Sequence, residues 1–504
     1  MNTFATPLRR AQACFADRTA LVEIASGASR TFGDVAGRAD QIVALLQRLG
    51  LDPGDRVAVL AEGSTSYAEL YQAVPMGGYV LVTLNSRYTR SELEAACLDC
   101  SPQVLFTDRT EAEVGQLAPR ILPMDERLDE LLEGVPDART CAVDEADDAV
   151  VFYTGGTTDR AKGVVLSHRA KLADAMSLIV SVDLTGEDRW LVMSPMFHAA
   201  GSFNILPCVW VGASQFFLPR FDAEAALRAI EKYRLTITFG VPTMFQALAE
   251  TQRRIGVDTS SLRLLGHGGA PITASVLQDT IAAFPTTEIC SMYGATETAP
   301  LVTVGRHQEL QIGTGAVTSA GIPVIGVDVD VLDPEGRPVE VGTVGEVVVT
   351  GPNLMNGYWN KREETARVLI DGSYWTGDLG RVDGEGNLYI VDRRKDMIIT
   401  GGENVYGVEV EDALTSHPAV FEAAVIGTPD ERWGELVVGI VVVADDVSLD
   451  ELDRHCRARL AAYKIPRRYV LRSEPLPRSA AGKLLKRELR EELGELQDSY
   501  PTQG

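Results

Sequence analysis

The stretch Phe152-Tyr-Thr-Gly-Gly-Thr-Thr-Asp-Arg-Ala-Lys-Gly163 decides how the chain is read. Apolar residues lead into it (Ala149-Val-Val-Phe152), and Val164-Val-Leu-Ser-His168 follows. The pattern predicts a strand, a loop rich in glycine and hydroxyls, and a second strand. Adjacent glycines let backbone N–H groups converge on an anion, and three threonines with Lys162 add donors and charge. A polyphosphate suits such a loop, although a plain Gly/Thr hairpin connection has the same composition. The spacing is not G-x-x-x-x-G-K-[ST], and it is not G-x-G-x-x-G, so neither a Walker-type loop nor a dinucleotide fold is indicated.

Working outward, 504 residues exceed one ordinary domain and predict two or more cores. Residues 1–150 alternate strand-like and helical segments, as in Arg56–Ala61 followed by Ser66–Val74. That alternation predicts a layered α/β core with much parallel sheet. Thr89 and Glu92 form a capping-box pattern, Asp222–Tyr233 reads as helix and Thr236–Val241 as strand. From about Gly321 short strands with turns predict a β-rich subdomain. After residue 393 a small α+β unit follows, with strands at 423–427 and 437–443. A second capping box at Ser448 opens a helix whose apolar face is Leu449, Leu452, Cys456 and Leu460.

The net charge of −24 argues against a general nucleic-acid binder. Basic residues concentrate between Arg454 and Arg490, the natural place in this acidic chain for a phosphate-rich ligand. No apolar run is long enough to span a membrane, and the N-terminus lacks a secretory apolar core, so a cytoplasmic location is expected. Seven cysteines fit a reducing compartment, and Cys97-x-x-Cys100, with no second ligand pair, reads as structural.

Downstream of the loop come Pro195-Met-Phe-His198, His267-Gly-Gly-Ala-Pro271, Met292-Tyr-Gly-Ala-Thr-Glu297, Tyr374-Trp-Thr-Gly-Asp378, Asp392-Arg-Arg-Lys-Asp396, Thr400-Gly-Gly-Glu-Asn404 and Pro477-Arg-Ser-Ala-Ala-Gly-Lys483. This ordered set, from about residue 20 to the C-terminal helix, resembles the adenylate-forming enzymes, and within them the acyl-CoA synthetases. Their phosphate loop usually reads Y-T-[SG]-G-T-T-G-x-P-K-G; here Asp159 replaces a glycine and Ala161 the proline. The added carboxylate of Asp159 should weaken triphosphate binding unless Arg160 or Mg²⁺ offsets it.

The resemblance implies a large N-terminal adenylating domain (1–392) of layered α/β subdomains plus a β-rich subdomain, a hinge (393–396) at Lys395, and a mobile α+β C-terminal domain (397–504). It implies ATP, Mg²⁺ and CoA as cosubstrates and cofactor, and a carboxylic acid that is activated as acyl-adenylate and passed to CoA. Thr154, Gly155, Gly156, Thr157, Thr158 and Lys162 would hold phosphates. Gly268, Gly269, Ala270, Met292, Tyr293, Gly294 and Thr296 would line the nucleotide, with Tyr293 against adenine. Asp378 would take the ribose hydroxyls, with Tyr389 and Arg393 beside it. Glu297 with Thr157 would hold Mg²⁺, and Lys483 would bridge the carboxylate and the α-phosphate. Gly401, Gly402 and Glu403 would swing toward the nucleotide for thioester formation. Phe197, His198, Gly240, Val241, Pro242 and Gly268 would border the acid, with His198 as pocket or gate. The residues there are apolar and none is cationic, which favours a hydrophobic acid, medium or long fatty or bulky aryl or polycyclic, over a small dicarboxylate. The alternatives are a stand-alone adenylation enzyme loading a carrier protein and a degenerate nucleotide binder; a homodimer is left open.

Overall fold

The computed structural model describes residues 2–124, 126–135, 141–154, 161–307, 319–443, 447–478 and 484–499. Two large sheets carry the N-terminal part. In the seven-stranded sheet the order is Gly357–Tyr358, Lys162–Ser167, Asp148–Thr154, Val80–Thr83, Arg56–Leu60, Val104–Thr107, Arg120–Pro123, and the last five run parallel. In the nine-stranded sheet Glu288–Tyr293, Leu264–Gly268, Ile237–Gly240, Arg189–Val192, Ser214–Phe217 and Thr19–Glu23 are parallel neighbours. The strands are near-continuous apolar runs because both faces are covered, as parallel sheets require.

Helices fill the space between these sheets. Thr65–Met76 is buried almost all round, from Tyr67 to Pro75, and Phe32–Arg48 buries Phe32, Val35, Ala39, Ile42 and Leu46. The second helix is opened by a capping box in which the Asp34 N–H donates to Thr31 Oγ1 (3.1 Å) and the Thr31 N–H to Asp34 Oδ2 (2.9 Å). One continuous apolar core therefore joins both sheets. The predicted box at Thr89 also forms and opens Arg90–Cys100, where Cys97 and Cys100 are buried and burial pushes their thiols up to about 11 and about 12.

A five-stranded antiparallel sheet follows, built from Asp328–Leu332, Gly345–Thr350, Ser373–Val382 and Leu369–Ile370, with Leu388–Arg393 paired to the long strand. Residues after Arg393 make a separate sheet, Glu403–Val405, Ile398–Thr400, Gly434–Val443 and Val420–Asp430, with Arg468–Arg472 alongside. Its two apolar clusters draw only on residues 398–493.

Two expectations change here. The helix Leu449–Arg457 is capped by Ser448 Oγ from the Glu451 N–H (3.2 Å), but Glu451 does not return the bond; its carboxylate lies 3.6 Å from His417 Nε2. Leu452 and Cys456 face the core and Leu460, past the helix end, packs against the same cluster, whereas Leu449 at the first turn is 47% exposed. The basic run is not a bare cationic surface either. Lys464 pairs with Glu409 (2.7 Å), Arg472 with Glu492 (2.7 Å), Arg478 with Glu422 (2.6 Å), Lys486 with Glu411 (2.8 Å) and Arg490 with Asp396 (2.9 Å). Most of these acids come from other strands and helices, so a count of charge along the sequence misses them.

At the amino ends of the nine-stranded sheet, buried Asp188 accepts from Arg263 Nε (2.8 Å), the Thr236 hydroxyl (2.8 Å) and the Thr185 N–H (2.8 Å). Burial works against its charge, but these donors together hold its carboxyl below the usual range. Asp188→Asn is therefore expected to cost about 2 kcal/mol at pH 7, less than for a fully buried pair because Arg263 is partly exposed. The deficit should shrink as pH falls below about 4, where the wild-type carboxylate is protonated in the unfolded chain and then in the fold. Urea titrations followed by tryptophan fluorescence at pH 7 and pH 3.5 check both.

Candidate active site

The parallel strands Leu264–Gly268 and Glu288–Tyr293 end side by side, with Gly268 opposite Met292. The carboxyl ends of such strands are where open α/β sheets bind ligands. At this point the two backbones touch. A Cβ on Gly268 would sit 2.3 Å from Met292 O, and one on Gly294 would sit 1.8 Å from Pro300 O. Gly269 follows with φ +77°, a conformation open to glycine.

The chain then turns tightly through the 3₁₀ segment Thr296–Thr298, which carries Glu297. The Tyr358 hydroxyl donates to Glu297 Oε1 (2.8 Å), and the Met355 N–H donates to Glu297 O (2.9 Å). Tyr358 sits on the two-residue strand that edges the seven-stranded sheet, opposite Val164. Lys162 Nζ lies 5.0 Å from the Tyr358 ring centroid and forms an ion pair with Glu364. One tyrosine thus connects the end of the glycine-rich loop to Glu297. Burial, then the Glu297 charge, raises the Tyr358 hydroxyl above its ordinary range, so it stays a donor.

Asp378 reaches the same region from the bulged strand Ser373–Val382. It is 8% exposed, accepts from the Tyr293 hydroxyl at Oδ2 (2.8 Å), and its Oδ1 lies 3.2 Å from Arg393 Nε on the paired strand. The Asp378 N–H donates to Thr376 Oγ1 (3.0 Å). One carboxylate is thereby fixed between a phenol and a guanidinium.

A third group borders Gly240, where Ile237–Gly240 passes through Val241 into the helix Pro242–Ile255. A Cβ on Gly240 would meet Met193 Cε (3.1 Å), Met244 Sδ (3.1 Å) and Phe245 Cε1 (3.3 Å); one on Gly268 would also meet Phe239 Cζ (3.2 Å). One on Gly269 would stand 3.7 Å from Val241 Cγ1, so the Gly240–Pro242 and Gly268–Gly269 segments are neighbours. Phe197 and His198 meet at a tilt of 57° with ring centroids 4.5 Å apart, and Phe203 meets Phe239 edge-on at 5.0 Å. Among the described residues these walls are aromatic, thioether and backbone.

The loop residues Gly155, Gly156, Thr157, Thr158, Asp159 and Arg160, and Lys483, lie outside the described residues. Their flanks pair: Thr154 opposes Lys162, and Arg478 opposes Leu484. Tyr389 is not brought to the Asp378 group. It lies four residues along its strand from Arg393, with its hydroxyl on Asp383 Oδ2 (3.1 Å) and Arg381 over its ring at 4.3 Å. At about 3.3 Å per residue it is held some 13 Å along the ladder. Gly401 and Gly402 (φ +60° and +86°) make the two-residue turn between Thr400 and Glu403, and the Gly401 N–H donates to Trp433 O (2.7 Å). Lys395 is exposed, and burial of its amine end, ahead of the nearby charges of Asp396, Arg393 and Arg490, lowers its pKa from the ordinary lysine value. The sequence analysis missed Tyr358 and Glu364; the aromatic pair Tyr358-Trp359 inside an otherwise polar stretch was their one local signal.

Residues 8–359 match the AMP-binding enzyme family, and residues 409–483 match the AMP-binding enzyme C-terminal domain. The chain belongs to the AMP-binding enzymes. It is 40% identical to feruloyl-CoA synthase of Amycolatopsis sp over 480 residues, covering 93% of this chain and 95% of that one. ATP-bound MatB from Rhodopseudomonas palustris superposes with a TM-score of 0.89 at 31% identity, covering 98% and 100% of the two chains. O-succinylbenzoate coenzyme A synthetase (MenE) from Bacillus subtilis, in complex with ATP and magnesium ion, superposes with a TM-score of 0.85 at 29% identity, covering 98% and 99%. The expected layered α/β architecture with its smaller C-terminal part is that of these structures. The chain is an AMP-forming acid–thiol ligase that uses ATP, Mg²⁺ and CoA. No described helix is long and apolar enough to cross a membrane.

Next to Gly268, the buried His267 ring stacks on His307, with Nε2 to Nε2 at 2.7 Å. Such a contact needs one N–H and one bare nitrogen, so the accepting ring is neutral, and burial favours the neutral form of both. Burial lowers His267 to about 3 and His307 to about 4. Because the unfolded chain binds these protons near pH 6.5 and the fold does not, stability is complete above that pH and is lost on acidification. Each ring contributes a slope of up to about 1.4 kcal/mol per pH unit below 6.5. His307→Leu should flatten the fall in melting temperature between pH 7 and pH 5 relative to wild type.

Proposed function

We propose that this enzyme activates an aryl-substituted carboxylic acid, and that the roles expected from the sequence fall to the groups described above. The observation that carries the substrate class is the wall around Gly240 and Gly268, where a Cβ would meet Met193, Met244, Phe239 and Phe245. Backbone, thioethers and aromatic edges are the surfaces that suit contact with a flat ring. Two of the similar proteins are named for aryl acids, ferulate and succinylbenzoate, which supports the aryl side of the fatty-or-aryl expectation.

In the first step a carboxylate oxygen attacks the α-phosphorus of ATP. The bond from that phosphorus to the bridging oxygen breaks, and pyrophosphate leaves with the electron pair. Asp378, already fixed by Tyr293 and Arg393, is assigned the ribose hydroxyls; Gly268, Gly269 and Ala270 let backbone approach the base closely. Lys162 is assigned the terminal phosphates, and to meet them it must exchange its partner Glu364. Lys483 is assigned the bridge between the attacking carboxylate and the α-phosphate, where two anions need a cation between them. Among the described residues no three acidic, His or Cys side chains cluster as a metal cage, so the single carboxylate of Glu297 suits Mg²⁺ that is otherwise bound by phosphate oxygens and water. When bound there, Mg²⁺ supplies charge neutralisation to the phosphates.

In the second step the CoA sulfur attacks the acyl carbon and AMP leaves. We assign the exchange of active-site groups between steps to rotation about Lys395, with residues 1–392 and 397–504 as the two bodies. The seven cysteines are all thiols, which suits residence in a reducing cytosol.

A panel of hydroxycinnamic, arylacetic, benzoic and straight-chain acids, read as AMP release and acyl-CoA mass, tests the substrate class. We expect kcat/KM for the best aryl acid at least 100-fold above that for octanoate or palmitate; the reverse order would sink the proposal. With that acid, Lys483→Ala should lower acid-dependent ATP–pyrophosphate exchange by at least 100-fold and leave thioester formation from supplied acyl-adenylate within about threefold of wild type. Surviving exchange would remove Lys483 from the first step.

A further inference from the structure

The helix His168–Ser181 buries two opposite charges, Lys171 and Asp174, each 1% exposed, one turn apart on the face toward the Glu297 turn. Their charged atoms are 3.6 Å apart, too far for a good hydrogen bond. Each uses its better geometry on backbone instead. Lys171 Nζ donates to Ala299 O (2.6 Å), and Asp174 Oδ1 accepts from the Leu301 N–H (2.9 Å). From the other side buried Asn353 donates through Nδ2 to Thr298 O and Leu301 O, both at 2.9 Å. Ala299 has φ +69°, a left-handed conformation that an alanine keeps only when its surroundings impose it.

We propose that Lys171 and Asp174 are positioning residues for Glu297: they clamp the backbone two and four residues beyond it, and so fix where its carboxylate presents oxygen to the Mg²⁺-bound phosphates. This rests on the assignment of Glu297 to the metal. A buried ion pair without ideal geometry is a poor source of stability, and apolar replacements of similar volume are commonly neutral or stabilising. Burial pushes the Asp174 carboxyl up to about 7 even with Lys171 beside it, which shows how strongly the site resists this charge. The pair is accounted for by what it does to residues 299 and 301. Unlike a generic core contact, it connects the helix that follows the strand Lys162–Ser167 to the turn carrying Glu297, so both halves of the triphosphate site share one rigid mount.

The test measures ATP binding to the full chain by calorimetry across a Mg²⁺ titration, with AMP binding in EDTA as the metal-free control. Asp174→Asn and Lys171→Met should each raise the Mg²⁺ concentration for half-maximal ATP binding by about tenfold, with AMP affinity within twofold of wild type. Glu297→Gln should abolish the Mg²⁺ enhancement. If Glu297→Gln does so while the clamp variants keep the wild-type Mg²⁺ requirement, the positioning role is wrong and the metal assignment stands. If Glu297→Gln leaves the Mg²⁺ dependence intact, the metal assignment itself fails and the inference falls with it. Should the single variants misfold, the double variant Lys171→Met/Asp174→Leu removes both charges together. Its melting temperature should return to or exceed that of wild type while the raised Mg²⁺ requirement persists. Recovery of both would reduce the pair to a structural role and overturn the proposal.

Discussion

There is no room for a methyl group at Gly268 or Gly294, and the geometry of the site depends on that. At the first, the ends of two parallel strands close to contact; at the second, the chain passes the carbonyl of Pro300 after turning through Glu297. Backbone packed this closely cannot shift by a few tenths of an ångström without disturbing its neighbours, so the segments that carry Tyr293 and Glu297 have one register. Tyr293 then fixes Asp378, and Tyr358 fixes Glu297. Two phenols, each buried at one end and hydrogen-bonded at the other, carry the rigidity of the strands to the two carboxylates.

Electrostatics follows the same economy. In a chain of net charge −24, three of the described cations near the site are already engaged: Lys162 with Glu364, Arg393 with Asp378, Arg394 with Glu346. An anionic nucleotide meets paired charges and must compete for them. Such competition favours a ligand that offers several anionic oxygens at once, as a triphosphate does, over a lone monovalent anion. The ion pairs of the C-terminal part act likewise, binding Lys464, Arg478, Lys486 and Arg490 to acids on neighbouring elements of that part and near Lys395.

Much of the fold was legible because its signals are local. Strand–helix alternation and the capping box at Thr89 each act within a few residues. The Ser448 box was half right: its first bond depends only on the helix start, whereas its return bond had to compete with His417 across a helix packing. Tyr389 failed for a related reason. It lies near Arg393 in sequence, but strand geometry converts four residues into distance and commits its hydroxyl to the Asp383 turn. The roles of Tyr358 and the Lys171–Asp174 pair were not legible, since their partners are 61 to 128 residues away; the Tyr358-Trp359 pair marked the place but not the partner.

By itself the sequence determined the layered α/β class, the order of the motifs, the membership they imply, and the glycines where backbone must pass closely. These depend on chain stereochemistry and on hydrophobic periodicity, which act over short separations. Only the tertiary structure decided which side chains the motif residues actually touch: Tyr293 on Asp378, Tyr358 between Lys162 and Glu297, His267 on His307, and a buried lysine and aspartate beneath the Glu297 turn. A hydrogen bond or ion pair depends on ångström-scale separation across distant segments, and that separation is set by packing of the whole core.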